Sequence, residues 1–195
     1  MMRKTQKQIL VLALCVSLLA LSLAAARPAL ALGPWKARIV DAETKQPLAN
    51  VVVLAVWTKV LLGPDHGPTF MYYDSEEVMA DQDGRIVVGA RDYSTRDAQV
   101  FAEPEFFFFK PGYGPWHFQG EDTWLKLEAP EKRKRYAEAG QLFAGPGVII
   151  ELTPLKTRPE RAQYDRERIE PLGVPRERKP LWLRAVEEER AYLGL

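Results

Sequence analysis

Four consecutive phenylalanines, Phe106 to Phe109, constrain the fold of this chain more than any other feature. Successive side chains of a β-strand point to opposite faces, so two of these rings lie on each face. Val51 to Trp57 is a second strand-like run that is apolar on both faces. Leaving two phenylalanines in water would forgo about 3 to 6 kcal/mol, a large part of a domain's net stability. Both strands therefore need a cover on each side.

A strand with a different pattern, buried on one face only, is predicted before these two apolar strands. Trp35 to Asp41 alternates large apolar residues with polar or small ones, which is typical of a half-buried strand. Ala42 to Pro47 is rich in polar and turn-forming residues, and the strand Asn50 to Trp57 follows. We expect these two strands to form a hairpin.

Further strands are predicted downstream. Lys59 to Met71 contains several glycines and prolines and predicts a long loop, after which Tyr72 to Ala80 is extended. Asp81 to Gly84 predicts a tight turn, because its glycine accepts positive φ without steric cost, and Arg85 to Gly89 is expected to return as the partner strand. Gly147 to Thr153 is the last predicted strand.

Helical segments are expected in two regions. Pro130 to Ala139 has a proline near its start and good helix formers inside, with Gly140 as a stop. From Lys156 onward the chain is highly charged, and Thr157 with Glu160 has the spacing of a capping box.

A second C-terminal helix is amphipathic and suits the outer faces of the two apolar strands. Its apolar residues gather on one side, and they are Leu181, Trp182, Ala185, Val186 and Leu193. We expect this helix to cover the phenylalanines, and the segment around Trp116 and Trp124 is the second candidate.

Residues 1 to 31 have the pattern of a secretory signal peptide. Basic residues near the start precede the apolar run Ile9 to Ala26, and Ala29 to Ala31 has the small residues that signal peptidase requires. Cleavage before Leu32 predicts a periplasmic or secreted protein, with no membrane attachment afterwards. Retention of the segment as an anchor is the alternative, because the apolar run is about long enough to span a bilayer.

Cleavage would change the charge and the cysteine content. It removes Cys15, the only cysteine, and four of the 27 basic residues but no acidic residue, which leaves 23 against 26 and a net charge of −3. This balance gives no electrostatic reason to bind nucleic acid or an anionic membrane.

Three segments together resemble the carboxypeptidase regulatory-like domain, a family of exported bacterial proteins. They are Ile39 to Val53, Ala80 to Ile86 and Lys110 to Tyr113. The resemblance implies a mainly β fold: a seven-strand, transthyretin-like Greek-key β-sandwich at residues 32–155, followed by a helical extension at residues 156–195. It also implies a structural or binding module without catalytic residues.

An aromatic insert contains the candidate ligand-binding residues. Tyr113, Trp116, Phe118 and Trp124 lie among glycines and prolines in a segment without a strand pattern. Exposed aromatic side chains bind sugars, peptides or proteins. The alternative is that these side chains form a lid over the core.

Metal and catalytic sites receive less support. His66 and His117 lie in separate loops, and together with Tyr72, Tyr73 and Tyr113 they supply the residue types of intradiol dioxygenases, which bind iron on a related sandwich. The close histidine pair of those enzymes is missing, so we predict no metal, no cofactor and no catalytic residue. The expected function is that of a non-enzymatic accessory protein of the cell envelope, which binds an envelope protein, a peptide or a carbohydrate. A metal-dependent enzyme is the alternative.

Overall fold

The first strand, β1, spans Trp35–Asp41, so the prediction for this segment is confirmed. The computed structural model describes residues 33–61, 68–91, 103–171 and 173–195. All of them belong to one compact unit, Ala31–Leu195. The predicted signal peptide, residues 1 to 31, lies outside the described residues.

The described residues form a mainly β structure with several helices. The other strands are β2 (Val52–Leu61), β3 (Thr69–Met79), β4 (Arg85–Val88), β5 (Glu105–Phe109), β6 (Tyr113–Phe118) and β7 (Val148–Pro154). The helices are α1 (Glu121–Trp124), α2 (Ala129–Phe143), α3 (Arg158–Glu167) and α4 (Pro180–Leu193), with a short 3-10 helix at Arg176–Arg178.

The strands form two sheets. One has four strands in the order β4-β1-β7-β6, and the other has three in the order β3-β2-β5. β1 and β7 are parallel neighbours, and the other pairs are antiparallel. Side chains from both sheets form one core, in which Ile39, Val53, Ile150 and Leu152 are fully buried. This arrangement is compatible with a β-sandwich.

A second apolar cluster covers the outer face of the three-stranded sheet. Phe107 and Phe109 point away from the main core, and their ring centroids lie 6.1 and 5.4 Å from that of Trp182 in α4. The other buried members of the cluster are Val52, Leu54, Val56, Val174, Ala185 and Val186. The C-terminal segment thus supplies the cover that the apolar pattern of β2 and β5 requires.

Polar contacts fix the two C-terminal helices. α3 begins with the expected capping box, in which Glu160 N donates to Thr157 Oγ1 and Thr157 N donates to Glu160 Oε2. Glu77 on β3 caps α4, because its carboxylate accepts hydrogen bonds from Leu181 N at 2.9 Å and Trp182 N at 2.7 Å. Without Glu77, these two N–H groups would have no acceptor within the helix, because the first turn of a helix lacks preceding carbonyl groups. Strand β3 thereby fixes the start of α4.

A buried glutamate joins the helices to the sandwich. Glu189 on α4 accepts hydrogen bonds from Arg161 Nε at 2.7 Å and from Gly112 N at 2.9 Å. Its side chain is only 5% exposed, so these donors are needed to offset the cost of burying a carboxylate. The contact ties α3, α4 and the turn before β6 together.

The predicted hairpin of the first two strands is wrong. β1 pairs with β4 and β7, whereas β2 belongs to the other sheet. The connection crosses between the sheets: Leu48 is buried in the core and Asn50 adopts a φ of 58°. Turn residues look the same whether the chain folds back within one sheet or crosses to another, so the local pattern does not distinguish the two.

The second predicted hairpin is wrong for the same reason. Gly84 ends the predicted turn with a φ of 73°, but β4 then pairs with β1 and not with β3. The N–H of Ile39 donates to Gly84 O at 2.7 Å. A Cβ atom at Gly84 would lie 2.3 Å from Ile39 O, so a glycine is required here for close approach to β1 as well as for its φ.

Three boundaries also differ from the predictions. The loop expected at 59–71 is shorter, because β2 continues to Leu61 and β3 begins at Thr69; residues 62–67 lie outside the described part. Helix α2 passes Gly140 and ends at Phe143. The aromatic insert, expected to be irregular, begins with strand β6, which pairs with β7.

No helix among the described residues is long and apolar enough to cross a membrane.

Candidate binding groove

The two sheets end in edge strands on the same side of the molecule. β5 is the last strand of the three-stranded sheet, and β6 is the last strand of the four-stranded sheet. Between them lies a groove of about 900 Å³, which helices α2 and α3 border. Its size falls in the range of ligand-binding sites in proteins.

Aromatic side chains from several elements form the walls. Phe106 and Phe108 come from β5, Trp116 and Phe118 from β6, with Trp35 of β1 and Phe143 of α2 beside them. The Phe108 and Trp116 ring centroids lie 4.8 Å apart, and those of Phe106 and Phe143 lie 4.5 Å apart. These contacts fix the rings, so the groove is apolar and preformed.

The groove follows the edge of β5. Its lining includes three consecutive residues of that strand, Phe106, Phe107 and Phe108. Since neighbouring side chains point to opposite faces, a groove under one face would touch only alternate residues. Contact with all three therefore places the groove along the backbone of the strand.

Acidic residues surround the apolar walls. Glu103, Glu105, Glu160 and Glu167 line the groove, and all four are exposed. At one rim the apolar side chain of Ile169 is 74% exposed. The rim thus combines negative charge with accessible apolar surface.

Among the described residues, the one basic side chain in the lining is already paired with carboxylates. Arg168 has a side chain that is 3% exposed, and it forms ion pairs with Asp165 at 3.2 Å and Glu170 at 2.8 Å. Its guanidinium carbon also lies 4.9 Å from the centroid of the Phe109 ring, a distance suited to a cation–π contact. The net charge at the rim of the groove is therefore negative.

Trp116 and Phe118, two of the predicted binding residues, lie in this groove. Trp124 lies behind Phe118, with ring centroids 6.1 Å apart, and lines a separate, shallow depression of about 300 Å³. Tyr113 and Trp124 are not part of the groove lining. All four side chains are half-buried, and Tyr113, Trp116 and Phe118 pack on the core as a lid.

Tyr113 forms a polar contact with Asp41. Its hydroxyl donates to Asp41 Oδ2 at 3.1 Å, and burial together with this carboxylate raises the pKa of Tyr113. Burial by itself would raise the pKa of Asp41, but hydrogen bonds from the backbone N–H groups of Thr44 and Glu43 and from Tyr113 lower it overall. This pair joins the end of β1 to the start of β6.

The residues considered for a metal centre have separate contacts. His117 Nε2 lies 3.2 Å from Glu151 Oε2, and Tyr72 OH lies 3.1 Å from Ser75 Oγ. His66 lies outside the described residues. In the described part of the chain, no three histidine, cysteine, aspartate or glutamate side chains are grouped so that they could hold a metal ion.

Sequence reasoning missed the acidic rim and did not place any of the four phenylalanines in a binding groove. Pro115 is a local sign that β6 is an edge strand. The edge position of β5 depends on the order of strands in the sheet, and no residue within the strand marks it. The chain was also compared with protein-family models, curated proteins and solved structures, and none of them matches it.

Proposed function

We propose that this is an exported, non-enzymatic binding protein of the cell envelope, periplasmic or secreted, and that the groove between β5 and β6 holds its ligand. The observation that carries the proposal is the groove itself. Its walls are preformed aromatic side chains, and its rim exposes Ile169 among glutamates. Accessible apolar surface of this kind is typical of sites that bind a partner.

The proposal includes the fold family expected from the sequence, the carboxypeptidase regulatory-like, transthyretin-like Greek-key sandwich. Sheets of four and three strands support it. So does the return of β4 to the side of β1 after β2 and β3 have entered the other sheet, a connection of the Greek-key kind. The C-terminal helices are an addition to that domain and form one border of the groove.

A single glycine offers a clean test of the groove. Gly140 lines it from within helix α2, and a Cβ atom there would meet no other atom within 4 Å. Replacing a glycine inside a helix also favours the helix by about 0.5 to 1 kcal/mol. Gly140→Trp therefore places a large side chain at the groove wall where there is room for it, and Gly140→Ala is the matched control that adds only a methyl group.

The measurement is the binding of Nile red, a neutral dye that fluoresces in apolar surroundings. We expect the dye to bind the original protein and Gly140→Ala equally, and to bind Gly140→Trp about tenfold or more weakly. The proposal is wrong if the dye does not bind, or if it binds both variants with the same affinity.

A further inference from the structure

We infer that the groove takes an extended peptide, which joins the three-stranded sheet as an additional strand beside β5. The inference rests on the proposed function and names the chemistry of the partner. In this mode of recognition, the peptide backbone pairs with an edge strand while alternate side chains fill pockets on either side. Three features support it: an edge of β5 that no other described strand pairs with, the character of β6, and the charge of the rim.

β5 pairs along one edge only within the part of the chain that the structure describes. Glu105–Phe109 pairs with β2 in antiparallel register, from Val56 to Val52. Outside that pairing, no backbone hydrogen bond between described residues involves this strand. Alternate residues of an antiparallel strand point their N–H and C=O groups away from the partner. A row of such groups therefore lines the groove.

The two edge strands differ in their capacity to pair. Proteins usually block exposed edges with proline, lysine or a bulge. β5 has none of these between Glu105 and Phe109. β6 contains Pro115, which has no N–H, and its register with β7 shifts between Tyr113 and Trp116. An added strand thus hydrogen-bonds to β5, and β6 provides a side-chain wall.

The residues that line the groove determine which side chains the peptide needs. Five residues of β5 extend over about 17 Å, so the paired part of the peptide has about five residues. Side chains on its inner face meet Phe106, Phe108 and Trp116, and those on its other face meet Tyr164. Apolar residues on the inner face are therefore required.

Charge selects the residues at the ends of the peptide. Glu103 and Glu105 stand at the beginning of β5, while Glu160 and Glu167 lie on α3. Arg168 adds no free positive charge, since two carboxylates pair with it. The complementary peptide carries lysine or arginine on both sides of its apolar core.

The probe is a synthetic peptide with alternating valine and threonine between two lysines at each end. It is titrated into the exported form of the protein, which is expected to begin at Leu32 and contains all the residues that the structure describes, with displacement of Nile red as the first readout. Amide hydrogen exchange of Glu105–Phe109 is the second, because pairing protects the outward-pointing N–H groups. We expect displacement of the dye together with slower exchange at alternate residues of β5.

Methylation of the peptide nitrogen separates strand pairing from simple apolar contact. Two peptides are compared, each with methyl groups on the backbone nitrogens of alternate residues. In one peptide the methyl groups lie along one edge of the strand, and in the other peptide they lie along the opposite edge. Because only one edge faces β5, we expect one set to weaken binding about tenfold or more and the other to have little effect. Equal affinities for the two peptides would overturn the inference.

A charge exchange tests the rim. Replacing the lysines of the peptide by glutamates should weaken binding by about tenfold at low salt, with a smaller difference at high salt. In the double variant Glu103→Lys, Glu105→Lys, this preference should shrink or reverse. Glu187→Lys, a charge reversal on the exposed part of α4, is the control and should keep it.

The two proposals fail in distinguishable ways. If Nile red binds more weakly to Gly140→Trp than to Gly140→Ala, but the lysine-ended peptide does not displace the dye, then the groove is a binding site and the inferred peptide is wrong. If the dye does not bind at all, the proposed function fails first.

Discussion

Replacing Trp182 by alanine tests how far the C-terminal helix stabilises the sandwich. Trp182 lies on α4, is 1% exposed, and packs against Phe107 and Phe109 on the outer face of β5. Its removal leaves a cavity between the helix and the sheet, and it exposes both phenylalanines from the outside. We therefore expect a large loss of stability.

The magnitude follows from the size of the buried side chain. Truncating a buried tryptophan to alanine costs about 3 to 5 kcal/mol. The net stability of a domain is about 5 to 15 kcal/mol, so the loss is a large fraction of it. In a domain of this size, 1 kcal/mol lowers Tm by about 2 to 4 °C, and Trp182→Ala should lower it by about 6 to 20 °C.

Two matched variants separate packing from other effects. The indole Nε1 of Trp182 is buried and has no hydrogen-bond partner among the described residues, so Trp182→Phe removes an unpaired polar group along with some volume. These effects oppose each other, and we expect a change within about 1.5 kcal/mol. Leu195→Ala, at a residue that is 74% exposed, should change Tm very little.

Thermal melting by circular dichroism and binding of a hydrophobic dye measure the outcome. If Trp182→Ala melts within about 2 °C of the original protein and binds no more dye, the helix does not stabilise the sheet. The outer phenylalanines would then be tolerated without this cover, which contradicts the reasoning from their apolar pattern.

Two further predictions concern polar contacts. Glu77→Ala removes the acceptor for the first N–H groups of α4 and should cost about 1 to 2 kcal/mol in urea unfolding; no change would mean that the cap is dispensable. The pKa of Asp41 is lowered in the folded state, so its ionised carboxylate stabilises the fold above pH 3.8, the unfolded pKa. This contribution to the free energy of unfolding is lost as pH falls through the folded pKa. Asp41→Asn should therefore be less stable by about 1 to 2 kcal/mol at pH 7, and the difference should shrink in acid. A constant difference across that pH range would contradict this assignment.

Local patterns were sufficient for several elements. The predicted strand Trp35–Asp41 matches the bounds of β1, and the spacing of Thr157 and Glu160 matches the capping box of α3. These features depend on side-chain periodicity and on hydrogen bonds between near neighbours. The demand for a cover on both faces of Phe106 to Phe109 is also readable from the chain, because alternation along a strand leaves no other way to bury all four rings.

The pairing of strands and the binding groove depend on contacts between distant residues. The turns after β1 and β3 have the composition of hairpin turns, yet both connect different sheets. Trp116 and Phe118 were recognisable as candidates by their residue type, but their position opposite Phe106 and Phe108 follows from the order of strands. Turn chemistry and side-chain alternation act over a few residues, whereas an edge strand is defined by which partner it lacks. The residue pattern was therefore enough to establish which segments are extended and apolar, while the groove arises only when the two sheets pack with β5 and β6 at the same side.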